Sequence, residues 1–110
     1  TFGGLGVVCG HEMSHGFDPS GSMFNYNGTF VGSIFSNYSQ QQYAEKMTCF
    51  KNQYSSIVVD RYPNGNPYYD NGTRTITENV ADNAGLKASY LAWQAYKTKN
   101  NEASTTLPGV

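Results

Sequence analysis

Histidine is scarce in this 110-residue chain: there are two, and both fall within one five-residue stretch. Charge is scarce as well. Only 14% of residues are charged, against about 25% in ordinary globular chains, and the net charge is −1. No basic stripe is present to follow a phosphate backbone, so a nucleic-acid partner is excluded, and no acidic run suggests a solvating tail. No apolar stretch reaches the roughly 18 residues of a membrane span, and no signal-peptide pattern is present. Any anchor of the parent protein is therefore expected outside this segment. Repeats and low-complexity tracts are also missing, so residues 1–110 read as one piece of one domain.

What is present is concentrated in His11-Glu12-Met13-Ser14-His15. Residues four apart lie on one helical face, about one turn from each other. Two imidazoles at that spacing can aim one nitrogen each at a single metal ion, while Glu12 can reach a water held by the metal. This is the HExxH logic of a zinc hydrolase, with two ligands and a general base from one turn. The alternative, two ordinary helix histidines with satisfied hydrogen bonds, is weakened by context. Phe2-Gly3-Gly4-Leu5-Gly6-Val7-Val8-Cys9-Gly10 is small or apolar throughout, as in a buried helix, and Gly16 with Asp18-Pro19-Ser20-Gly21 is a stop and turn signal.

A catalytic zinc takes three protein ligands and leaves a fourth position to water. No third histidine exists, so a carboxylate or cysteine must serve. Glu78 and Asp82 are four apart in the helical stretch Thr77-Glu78-Asn79-Val80-Ala81-Asp82-Asn83-Ala84-Gly85, with Thr77 a plausible N-cap. One carboxylate could bind metal and the other accept the N–H of a ligand histidine. Spacing alone leaves equal room for two helix-start acids favoured by the macrodipole.

The remaining pattern predicts a mainly α chain of three helices plus a short β-hairpin. The first helix is expected over about 2–17. A hairpin is expected over Ser22 to Phe30, around Asn25-Tyr26-Asn27-Gly28. The second helix is expected over about 39–56, with Tyr43, Met47, Phe50 and Tyr54 on one packing face. Arg61 to Gly72 reads as a Pro/Gly/Asn-rich loop. The third helix is expected over about 77–99, with Leu86, Tyr90, Trp93 and Lys97 along one side and Pro108 opposing extension. Cys9 points roughly 200° away from the histidine face and reads as a small buried hydrophobe. It is not expected to pair with Cys49. Asn27, Asn37 and Asn71 begin glycosylation sequons, a weak signal among eleven asparagines.

Taken in order, Phe2 to Val8 leading into His11-Glu12-Met13-Ser14-His15-Gly16-Phe17-Asp18, then Cys49-Phe50-Lys51-Asn52-Gln53-Tyr54, then Glu78-Asn79-Val80-Ala81-Asp82-Asn83-Ala84-Gly85-Leu86, then Leu107-Pro108-Gly109, the chain resembles the neprilysin family of zinc metalloendopeptidases along its full length. The resemblance implies part of a thermolysin-like zincin catalytic domain of the gluzincin type. It implies one zinc ion held by His11, His15 and Glu78, with Glu12 as general base, Asp82 orienting His11, and Val8 lining a substrate pocket. It implies hydrolysis of short peptides by an extracellular enzyme, either secreted or the ectodomain of a single-pass membrane protein. It also implies a partner for Cys49 near the parent's terminus.

Three positions depart from the family pattern: Pro19-Ser20 where a second acid is usual, Thr77 for glycine, and Ile34-Phe35 for a tryptophan pair. None removes a metal-binding group. The family's substrate-clamping Asn-Ala motif, transition-state histidine and carboxylate-binding arginine have no counterpart here. The segment is therefore expected to need the remainder of the parent catalytic domain and to be inactive and unstable alone. The rival expectation is a catalytically silent, neprilysin-like ectodomain that binds peptides or partners around a structural zinc.

Overall fold

A computed structural model describes residues 1–102. The chain opens with a π-helical turn, Phe2–Gly6, which runs directly into helix α1, Val7–Ser14. Three of the five residues in the turn are glycine, and this local freedom lets the wider turn form. The single α-helix expected over 2–17 is thus a π turn, a shorter α-helix and a turn. His15 caps α1, and Phe17 donates its backbone N–H to the Ser14 carbonyl at 2.9 Å.

A 3₁₀ turn, Gly21–Met23, follows. The hairpin expected at Ser22 to Phe30 is present as one bridge, Phe24 to Phe30, closed by Gly28 N–H donating to the Asn25 carbonyl at 3.0 Å. Gly28 sits at φ 79°, where glycine is favoured. Helix α2 spans Asn37–Ser55, and its N-cap Ser36 accepts from the Ser39 backbone N–H at 3.2 Å.

The two-stranded ladder lies further on. Strands β1, Val58–Arg61, and β2, Pro67–Tyr69, pair antiparallel with Val58 opposite Tyr69 and Arg61 opposite Pro67, and a bulge falls between Val58 and Asp60. This corrects the loop expected at Arg61 to Gly72. The Pro/Gly/Asn-rich residues form the turn of the hairpin, with Gly65 at φ 84° and its N–H on the Tyr62 carbonyl. Pro67 is tolerated because it is the first strand residue. Tyr62 and Tyr68 pack edge to face at 5.5 Å.

Helix α3 spans Ile76–Asn100 and ends on Asn101 in the left-handed conformation, with Lys97 and Lys99 in the last turn favoured by the helix dipole. Its N-cap is Thr75, two residues before the expected Thr77. Thr75 Oγ1 donates to Asp70 Oδ2 at 3.1 Å and accepts from Asn79 Nδ2 at 2.7 Å, so it ties the hairpin exit to the helix start.

The dominant packing is α1 against α3. That interface is built from small residues: Gly10 is buried on α1, and Ala81, Gly85 and Ser89 are buried at four-residue spacing on α3. Helix α2 joins α3 through Asn83 Nδ2, which donates to the Tyr54 hydroxyl at 2.6 Å. Met47, Ile76 and Ala81 are the buried hydrophobic residues among those described. Cys9 is exposed, contrary to its expected burial: the packing of α1 against α3 runs through Gly10, and Cys9 is left outside it among the described residues. Cys9 and Cys49 are both free.

Candidate metal centre

The site joins two helices. Helix α1 and its cap supply His11 and His15, whose rings stand perpendicular at 89° with centroids 4.6 Å apart. The first turns of α3 supply Glu78 and Asp82 from the facing surface. His11 Nε2, His15 Nε2 and a Glu78 carboxylate oxygen converge, and all three ligand atoms lie within 4.8 Å of one another. Glu78 Oε2 is 3.4 Å from His11 Nε2 and 3.6 Å from His15 Nε2.

Each histidine is held from behind by a carboxylate. His11 Nδ1–H donates to Asp82 Oδ1 at 2.8 Å, and His15 Nδ1–H donates to Asp18 Oδ2 at 2.7 Å. A carboxylate acceptor fixes the proton on Nδ1 and leaves Nε2 with its lone pair. The two Nε2 atoms then stand 3.0 Å apart. At that distance a shared cation, either a proton on one ring or a metal ion between both, must relieve the repulsion of two lone pairs. The donor set of two imidazoles and a carboxylate suits zinc, which in catalytic sites takes three protein ligands and a water.

Asp18 is the residue that sequence reasoning missed. Read from sequence it belongs to a turn, yet it is almost fully buried, at 3% exposure. Its Oδ1 accepts the backbone N–H groups of Ser20 and Gly21, both at 2.7 Å, while Oδ2 takes the histidine. Gly21 must be glycine here, because a Cβ would overlap the His15 carbonyl oxygen. Burial pushes the Asp18 carboxyl up, but the N–H donors of Gly21, His15 and Ser20 outweigh it and leave the group below its ordinary value. Chiefly through the Asp18 hydrogen bond, His15 is raised above its ordinary value, with burial opposing. The three-residue step from His15 to Asp18 is the signal that could have found this pair.

Glu12 and Val8 are exposed and lie outside the three-atom cluster. The Glu12 side chain makes no hydrogen bond or ion pair among the described residues. Asn27, Asn37 and Asn71 are all exposed. Leu107-Pro108-Gly109 lies outside the described residues.

Three helices with a hairpin, carrying a His–His–Glu cluster between the first and third helix, define a mainly helical part of a zincin catalytic domain. The family model for Peptidase family M13 matches residues 1–110, and the chain belongs to that family. It is 42% identical over 108 residues to endothelin-converting enzyme 1 of Cavia porcellus, covering 98% of this chain and 13% of that protein. It is 38% identical over 110 residues to neprilysin of Homo sapiens, covering 100% of this chain and 14% of that protein. Among solved structures it is similar to the Mycobacterium tuberculosis zinc metalloprotease ZMP1 bound to an inhibitor, with a TM-score of 0.82 and 29% identity over 99% of this chain and 16% of that one. PepO from Lactobacillus rhamnosis HN001 is also similar, with a TM-score of 0.68 and 30% identity over 83% of this chain and 13% of that one. The chain thus spans about an eighth of the length of the curated relatives it matches.

Proposed function

We propose that the protein carrying this segment is a zinc-dependent endopeptidase acting on short peptides. The observation that carries this reading is the convergence of His11 Nε2, His15 Nε2 and a Glu78 carboxylate oxygen within 4.8 Å of one another. His11, His15 and Glu78 would hold one zinc ion. When bound, zinc supplies Lewis acidity, lowering the pKa of water toward about 7 and polarising a carbonyl oxygen. Glu12, next to a ligand and with no hydrogen bond or ion pair among the described residues, takes the proton of the attacking water. It later delivers that proton to the leaving amine nitrogen. Asp82 and Asp18 keep Nδ1 of each histidine protonated, so that Nε2 remains a donor to metal. Val8, one turn before His11, lines the pocket for the substrate side chain after the scissile bond.

Replacing Glu12 by Gln in the full-length protein separates this from a silent ectodomain with structural zinc. The enzyme reading expects zinc retained and peptide hydrolysis lost; unchanged hydrolysis contradicts it.

We place the parent outside the cell by proposal, secreted or as the ectodomain of a single-pass membrane protein. No helix among the described residues is long and apolar enough to cross a membrane. Support comes from the three exposed sequons, of which Asn27 is the best presented. It stands at the tip of the bridge loop beside fully exposed Tyr26, and Thr29 Oγ1 donates to its Oδ1 at 2.8 Å. Peptide mass mapping after enzymatic deglycosylation should mark Asn27; an unmodified Asn27 in the secreted protein contradicts that assignment.

A further inference from the structure

The two helices that carry the site touch backbone to backbone at one point. Gly10, just before the first ligand histidine, faces Gly85, one turn past Asp82. A Cβ on Gly10 would lie 2.8 Å from Gly85 Cα and 2.9 Å from the Gly85 carbonyl oxygen. A Cβ on Gly85 would overlap the backbone nitrogen of His11 and lie 2.9 Å from His11 Cα. All of these are backbone atoms of the opposite helix, which cannot swing aside as a side chain does. Small residues flank the contact: Ala81 is fully buried, and a Cβ on Gly6 would meet Ser89 Oγ at 2.7 Å. Glycine is unfavourable inside a helix relative to alanine. Its presence on both sides of one crossing answers a need for close approach.

We propose that Gly10 and Gly85 are positioning residues for the metal centre, setting the distance between the helix of the histidines and the helix of Glu78 and Asp82. The proposal rests on the zinc reading above. Both histidines belong to α1 and its cap, so their mutual spacing is fixed within one element. Every contact to Glu78 and Asp82 spans the crossing instead. Relieving a Cβ contact of 2.8 Å to ordinary packing distance requires the helices to part by about 1 Å. The same displacement carries the 2.8 Å His11–Asp82 bond beyond hydrogen-bonding range. It also draws the Glu78 oxygen away from both nitrogens.

The test uses the full-length protein. Zinc dissociation constants are measured by chelator competition for wild type, Gly10→Ala, Gly85→Ala, Asp82→Ala and the Gly85→Ala/Asp82→Ala double variant. Each metal-free protein is also melted. The expected result is a loss of zinc affinity of about ten- to hundredfold in both glycine variants, with cooperative melts retained. Asp82→Ala should add far less in the Gly85→Ala background than alone, because the contact it removes is already broken. If the wild type binds no zinc, the zinc reading falls and takes this proposal with it. If the wild type binds zinc, three results overturn the positioning role alone. These are affinities within twofold of wild type in both glycine variants, full additivity with Asp82→Ala, or loss of the cooperative melt in both glycine variants, which would assign the crossing to the fold as a whole.

Discussion

His11 and His15 are held by carboxylates of different character, and the difference has measurable consequences. Asp82 reaches His11 from another helix and is itself 67% exposed, whereas Asp18 holds His15 from a buried turn whose backbone it also ties. Asp82→Ala should weaken zinc binding by about ten- to hundredfold with little change in melting temperature. Asp18→Ala should weaken zinc comparably and also cost about 1–3 kcal/mol of stability, because it strands the N–H groups of Ser20 and Gly21. Chelator competition and thermal melts on the full-length variants check both. Tyr43 gives a pH prediction. Burial, aided by the Asp18 charge, pushes its hydroxyl up to about 12, and that hydroxyl donates to the Phe17 carbonyl at 2.9 Å. A folded value above the unfolded one means stability is fully present below pH about 10 and is lost as pH rises through about 12. Tyr43→Phe should remove that alkaline loss, read as melting temperature against pH. Of these residues, His11 and His15 are legible in sequence because one helical turn fixes their spacing. Glu78 and Asp82 are legible as a pair, but their separate relations to the histidines depend on a helix crossing that no local spacing encodes. Asp18 was hidden because its role comes from a turn that buries it.

At the scale of elements, helices were legible wherever a cap or periodicity marked them. Helix α2 starts two residues before the expected boundary, at Asn37, because Ser36 rather than a later residue caps it. Ser36→Ala should cost about 1 kcal/mol, seen as a lowered melting midpoint of the full-length protein. The hairpin of β1 and β2 carries a loop signature in sequence because Pro63, Asn64, Gly65, Asn66 and Pro67 dominate it. Only seven strand residues surround that turn, too few for a clear alternation. The π turn before α1 was equally silent, since a glycine-rich apolar run is compatible with either helix type. The helical architecture therefore followed from pattern, while the short pairings followed from turn geometry.

The whole molecule is a slab of 49 × 45 × 22 Å with a Cα radius of gyration of 17.8 Å, against about 13 Å for a compact domain of this length. Leu5, Val8, Met13, Phe17, Leu86 and Tyr90 are all more than half exposed, an apolar surface that monomeric proteins seldom leave uncovered. Residues 1–110 expressed alone should therefore aggregate or melt without cooperativity; a monomeric sedimentation profile with a sharp melt contradicts that. Metal analysis and peptide hydrolysis on one preparation of full-length Glu12→Gln protein decide whether the cluster is a catalytic zinc centre. Such a centre should hold one zinc per molecule, with turnover reduced at least about a hundredfold. Normal turnover in that variant, or no zinc in the wild-type protein beside it, would contradict it.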